Sequence, residues 1–248
     1  MLILKVFHLS CVNDDGYFTL LASGTYTSNC LTQVRFLRTA SSLYLITAST
    51  DGHFTLWDVT TVLEPFYTFK ETLSLKQSLN SITKTEENIS CESRHQIHSN
   101  SIKSIDLVHI SDTTTLVIAG GDDNAITLSL LYTDKKDDEA SDRAATISIP
   151  DAHTASVNDV KAIEKSITVG DGIMQLDIAS SGNDHRVKLW RVTIDMKDRP
   201  TLDGMQVQNL VDRYSSVADI SSLDVFQHEG ETKLVVCGVG MEMFTVDN

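Results

Sequence analysis

Apolar and polar positions alternate with a period of two along most of this chain, in short runs separated by polar turns, which is the pattern of half-buried β-strands. One such unit returns four times. It reads TASTDGHFTLWDV from Thr47 to Val59, AGGDDNAITLSLL from Ala119 to Leu131, SSGNDHRVKLWRV from Ser180 to Val192 and LVVCGVGMEMFTV from Leu234 to Val246. Each predicts a small-residue strand, a tight turn and an alternating strand. Asp51, Asp123 and Asp184 hold the turn position, with Gly238 in the fourth unit. Trp57 and Trp190 end the second strand, with Ser129 and Phe244 in their places. Upstream, paired apolar residues recur in step: Leu31 and Val34, Ile102 and Ile105, Val157 and Val160, Val217 and Ile220. They follow a common reference position, Thr27, His98, His153 or Arg213, which precedes the turn by 24, 25, 31 and 25 residues.

A strand, a turn with Asp and a strand ending in Trp is the signature of a WD-repeat blade, so the expected fold is an all-β WD-repeat β-propeller. The residue types have a physical reason. A His at the entry to a blade, a Ser or Thr on the next strand, the turn Asp and the Trp can form one buried hydrogen-bond chain. His153, Ser180, Asp184 and Trp190 supply all four members. The first unit keeps Thr47, Asp51 and Trp57 but has Thr27 for His. The second keeps His98 and Asp123 without Trp, and the fourth has lost nearly all polar members. His, Ser and Asp together also invite a hydrolase triad. The repeat context and the lack of a GxSxG elbow favour a structural role, and no catalytic residue is expected.

Strand counting sets the organisation. LKVFHL at 4–9 aligns with VKLWRV at 187–192, putting Phe7 in the Trp place of a partial blade at 1–23, with Tyr17–Ser23 as its outer strand. Blades are expected at about 27–75, 98–149, 153–210 and 213–246. About four blades plus a partial one is few for a common ring, so the chain is expected to be the C-terminal piece of a larger propeller. A small ring closed by Tyr17–Ser23 is the alternative. Three polar inserts, about 64–94, 133–145 and 195–206, lengthen the repeats at little cost in loop-closure entropy.

Charge and cysteine content narrow the partners. Twenty Lys and Arg against 34 Asp and Glu give a net charge of −14, a poor basis for gripping phosphates, so a protein partner is expected. No apolar run is long enough to span a membrane. Cys11, Cys30, Cys91 and Cys237 show no paired spacing, in keeping with a reducing compartment. Cys91, His95 and His98 fall short of the four ligands of a structural zinc site. AGGDD at 119–123 lacks the Lys and helix of a phosphate cradle. No metal or cofactor site is expected in the chain.

The segments also follow a particular order. TASTDGHFTLWDVTTVLEP (47–65) precedes HSNSIKSIDL (98–107) and AGGDDNAI (119–126). DAHTASVNDVKAI (151–163), SSGNDHRVKLWRV and the SSVADISSLDVF…GVGMEMF ending (215–244) follow. In this order they resemble the C-terminal end of the WD repeat-containing protein 6 family, whose fungal members are accessory subunits of a tRNA 2′-O-methyltransferase. The resemblance implies a longer cytoplasmic scaffold that binds a FtsJ-like methyltransferase and supports ribose methylation of the wobble nucleotide. S-adenosylmethionine would sit on that partner. It assigns Asp51, Trp57, His153, Asp184 and Trp190 to holding blades together. A generic WD platform in ubiquitin ligation or vesicle trafficking is the other reading. For ligation, the Arg expected two residues after a Trp-Asp pair is absent at Trp57-Asp58.

Overall fold

The structure is a computed structural model that describes residues 3–12, 15–26, 29–63, 87–134, 143–196 and 199–246. It is an all-β array of antiparallel sheets. Three have four strands in simple up-and-down order. The first joins β3 (Leu31–Arg38), β4 (Leu43–Ser49), β5 (His53–Asp58) and β7 (Ser93–Gln96). The second joins β8 (Ile102–Ser111), β9 (Thr114–Gly121), β10 (Ile126–Tyr132) and β11 (Ala144–Ile149). The third joins β12 (Val157–Gly170), β13 (Ile173–Gly182), β14 (Arg186–Asp195) and β15 (Met205–Tyr214). They are called sheets A, B and C below. Before them stands an N-terminal sheet of β1 (Ile3–Val12) and β2 (Asp15–Thr25), with the short β6 (Glu87–Ile89) added parallel to β2. After them, sheet D is formed by β16 (Ala218–His228) and β17 (Glu231–Val246).

These sheets stack face to face, and the apolar cores lie between them. One core joins Val6, Leu21 and Ala22 to Leu43, Leu45 and Trp57. The next joins Tyr44, Ile46, Phe54 and Leu56 of sheet A to Ile102, Ile105, Val117 and Ala119 of sheet B. A third joins Leu128 and Leu130 to Val160, Ile178 and Trp190, and a fourth joins Val187 and Leu189 to Val217, Ile220 and Leu234. Because successive side chains of a strand point to opposite faces, β5 sends Phe54 and Leu56 forward and Trp57 back. Adjacent sheets touch mainly through β3, β8, β12 and β16, side by side along the stack. The arrangement is propeller-like.

Some boundaries differ from the sequence reading. The unit drawn to residue 75 takes its outer strand from 93–96, because the long insert falls between its third and fourth strands; residues 64–75 and Thr27 lie outside the described residues. The unit drawn to 210 runs on to Tyr214. Arg213, placed at the head of the fourth unit, belongs to β15 and sits opposite Val187. Val34, one of the recurring apolar pair positions, is 50% exposed and Phe36 is 63% exposed. Both lie on the same face as Trp57, but the core shared with the N-terminal sheet covers β4 and β5 rather than β3.

The end of the chain shows how a turn survives without its Asp. A straight strand from 233 to 245 would span roughly 40 Å. Yet Lys233 Nζ donates to Thr245 Oγ1 at 2.8 Å, so β17 folds back on itself. Gly240, at φ +117°, provides a backbone conformation that side-chain-bearing residues avoid. Gly238 lies so close to β16 that an added Cβ would meet the Asp219 carbonyl oxygen at 2.4 Å.

A repeated backbone bond sets each sheet against the next. The residue after the turn Asp is left-handed in all three units: Gly52 at φ 79°, Asn124 at 67° and His185 at 59°. Its carbonyl accepts an N–H from the chain entering the following sheet. The donors are His98 at 3.1 Å, His153 at 3.2 Å and Ser215 at 2.8 Å respectively.

The inner strands are also tied by one buried carboxylate. Asp159 on β12 accepts from Ser104 Oγ of β8 at 2.5 Å and from Leu223 N–H of β16 at 2.8 Å. Hydrogen bonds to a charged acceptor contribute more than neutral ones, and their donors are left unpaired if it goes. Asp159→Leu is therefore expected to destabilise the fold by about 3 kcal/mol, read as a lower urea midpoint. An unchanged midpoint would remove this link between the three sheets.

Candidate functional site

The residues singled out in the sequence come together most completely in sheet C. His153 lies on the connection entering β12, Ser180 on β13, Asp184 in the β13–β14 turn and Trp190 on β14. Trp190 Nε1 donates to Ser180 Oγ at 2.9 Å, Ser180 Oγ meets His153 Nε2 at 2.8 Å, and His153 Nδ1 meets Asp184 Oδ1 at 2.9 Å. The consistent proton arrangement runs one way: indole to hydroxyl, hydroxyl to imidazole, imidazole to carboxylate. It needs a neutral His153. Burial lowers the His153 pKa, against the raising effect of Asp184. Burial alone would raise Asp184, but His153 and the Thr154 N–H at 2.9 Å outweigh it and hold the carboxyl below its usual range. Asp184 also caps its own turn, accepting from Arg186 N–H at 3.0 Å.

The connectivity is that of a hydrolase triad, but Ser180 and His153 have no exposed surface. The hydroxyl that would attack a substrate is sealed between two sheets and already accepts the indole proton.

Sheet B builds the same chain from a different hydroxyl. His98 Nδ1 meets Asp123 Oδ1 at 2.7 Å, and Asp123 also accepts the Ser99 N–H at 2.8 Å. Ala119 stands where sheet C has Ser180, so His98 Nε2 pairs at 3.1 Å with Thr127 Oγ1 on the next strand. Thr127 lies directly opposite Ala119, as Lys188 lies opposite Ser180. Ser129, in the Trp place, bonds Thr146 of β11 at 2.7 Å.

In sheet A the chain divides. Trp57 Nε1 donates to both Thr47 Oγ1 at 3.2 Å and Thr55 Oγ1 at 2.9 Å, and the two hydroxyls share a 2.5 Å bond. Asp51 is held separately by Ser49, Asn29 at 3.0 Å, Tyr26 at 3.3 Å and Arg94 at 2.8 Å. Burial would raise its pKa, but Ser49 and Asn29, with His53 and Arg94 nearby, bring it below the usual value. Sheet D has no Asp in its turn. Glu242 instead accepts from Ser215 Oγ at 2.8 Å and Ser216 N–H at 2.9 Å, anchoring the entry to β16.

Thr55, Thr127 and Glu242 are thus members that motif reading missed. Each stands four residues after the turn position, and for Thr55 and Thr127 the register puts it opposite the second-strand hydroxyl site. Cys91, His95 and His98 do not converge. Cys91 Sγ bonds the Ser93 carbonyl, His98 is engaged with Asp123 and Thr127, and among the described residues no group of three His, Cys, Asp or Glu is placed to hold a metal ion.

His95 has its own setting. It packs on Phe54 with ring centroids 5.0 Å apart. Burial, reinforced by Arg143 and His53, pushes its pKa down to about 4. Arg143 is itself paired with Glu92 at 2.7 Å.

Compared with protein-family models and with curated proteins, the chain matches none.

Two outcomes follow from this geometry. Thr127→Val is expected to cost about 1–3 kcal/mol by leaving His98 Nε2 unpaired. Adding Ala119→Ser should return most of that loss, because it restores the hydroxyl where sheet C has one. A thermal-unfolding double-mutant cycle in which the two changes are simply additive would refute the shared site. Second, unfolded His95 binds a proton near pH 6.5, whereas folded His95 does so only near pH 4. Its contribution to stability is therefore complete above pH 6.5 and declines as pH falls towards 4, by up to about 1.4 kcal/mol per pH unit. Urea unfolding between pH 7.5 and 4.5 should give a shallower pH slope for His95→Gln than for wild type; equal slopes would exclude His95 as the titrating group.

Proposed function

We propose that this chain is a WD-repeat propeller segment acting as a non-catalytic scaffold in the cytoplasm. It binds a FtsJ-like methyltransferase and supports 2′-O-ribose methylation of the tRNA wobble nucleotide. The observation that carries the reading is the order of segments from Thr47 to Phe244, which resembles the WD repeat-containing protein 6 family. The buried His–hydroxyl–Asp chains support the WD assignment: they recur in sheets B and C at the same turn. The sealing of Ser180 supports a role without catalysis. The methyl donor belongs to the partner.

Three inserts, between β5 and β7, β10 and β11, and β14 and β15, all connect a third strand to a fourth. The antiparallel order puts those connections at the end opposite the Asp turns. Neighbouring inserts touch there. Arg199 pairs with Asp134 at 3.0 Å and lies over the Tyr132 ring, whose hydroxyl donates to the Pro200 carbonyl. Connections that leave successive sheets at one end are suited to contact a protein. The negative charge favours a basic protein surface over direct capture of RNA. Among the described residues no helix is long and apolar enough to cross a membrane.

Affinity purification through a C-terminal tag, followed by mass spectrometry and a tRNA methyltransfer assay, tests the proposal. The expected result is recovery of a 2′-O-methyltransferase whose activity on tRNA rises with the chain present, while the chain alone transfers nothing. Recovery of ligase or trafficking subunits without a methyltransferase would overturn it.

A further inference from the structure

We propose that the seat of β7 against sheet B is an acid-triggered latch, in which a proton taken up by His95 frees β7 while sheets B and C stay folded. Among the described residues three imidazoles are buried, those of His95, His98 and His153. Two of them hold a carboxylate. His98 Nδ1 lies 2.7 Å from Asp123 and His153 Nδ1 lies 2.9 Å from Asp184, so a proton added to either ring meets a negative charge. His95 differs. It is 9% exposed, its Nε2 has no hydrogen-bond partner, and it stands opposite Phe54, on whose ring it packs. Phe54 belongs to the core between sheets A and B, so the His95 ring lies on that inner face.

The charges around this ring oppose a proton. Arg143, from the connection entering β11, and His53 of β5 both disfavour the charged form. Arg94 of the same strand is engaged with Asp51 at 2.8 Å. Glu92, the carboxylate at this junction, already accepts from Arg143 Nη1 at 2.7 Å. A buried imidazolium without an anion is relieved by reaching water, and β7 is the element that can move. It is four residues long and lies at the edge of sheet A, paired with β5 alone. Such elements open at lower free energy than strands buried in the core. Release of β7 also pulls on the Glu92–Arg143 pair, which joins the insert of sheet A to that of sheet B. Acid therefore loosens the end of the stack where the inserts meet. The inference rests on this junction alone and is independent of the methylation role.

The test is amide hydrogen exchange of the whole chain, read by mass spectrometry at pH 7.5 and 4.5 and corrected for the chemical exchange rate at each pH. Once exposed, His95 binds a proton near pH 6.5; in place it does so only near pH 4. Opening therefore becomes easier as pH falls through this window. Protection of Ser93–Gln96 is expected to drop on the order of fiftyfold, while β9 and β13 keep theirs. His95→Gln, neutral at both pH values, should hold at pH 4.5 whatever protection it has at pH 7.5. Arg143→Gln removes a repelling cation and frees Glu92 for the imidazolium, so its drop should be smaller than that of wild type. Circular dichroism at pH 7.5 establishes that each variant is folded. A wild-type drop that spreads equally to β9 and β13, or one that persists undiminished in a folded variant, would overturn the latch.

Discussion

Each inner sheet of this protein has to bury two faces, and that requirement governs everything else in it. A sheet covered on one side alternates apolar with polar residues. Here β4, β9 and β10 are buried along their whole length, because the sheets before and after both press on them. Burying a large aliphatic side chain contributes roughly 1.5–3 kcal/mol, so the four inter-sheet cores supply most of the favourable free energy. They also fix the order of assembly in space. A sheet placed anywhere else in the stack would expose one of its two apolar faces.

Double-sided burial creates the problem that the hydrogen-bond chains solve. Turn Asp, entry His and strand hydroxyl are all drawn inside when the sheets close. A paired hydrogen bond contributes only about 1 kcal/mol net, while an orphaned buried group costs about 1–3 kcal/mol. The chains therefore matter less as a source of stability than as a condition on which arrangements are acceptable. Sheets A, B and C meet that condition with different residues. Sheet C uses Ser180, sheet B replaces it with Thr127 from across the ladder, and sheet A gives Trp57 two hydroxyls and hands Asp51 to Arg94 and Asn29. What is retained is a donor for each acceptor, not a residue at each position.

This explains what the sequence discloses and what it conceals. The alternation and the turn Asp announce the strands of sheets B and C and the four-membered chain of sheet C, because those features depend on local spacing. The substitution of Thr127 for a hydroxyl at 119 depends on which residues lie opposite in the ladder, and a single line of text does not display register. Arg94 reaching Asp51 crosses a long polar insert that the other repeats do not share at the same length, so no spacing rule finds it. β6 carries no signal of its own. It is three residues in a polar stretch, and it joins β2 in parallel only because the fold brings them together. Glu242 was hidden by the loss of the Asp at 238, since the acidic group moved along the strand and changed length.

The carbonyl passed from each left-handed turn to the next entry segment has a wider meaning. Gly52, Asn124 and His185 set each sheet against the next from the turn end, while Arg199 and Pro200 reach Asp134 and Tyr132 at the other end. The turn-end bond involves none of the residues of the third-to-fourth strand connections. A surface assembled from the inserts is thereby carried on sheets whose mutual placement is already held at the turn end.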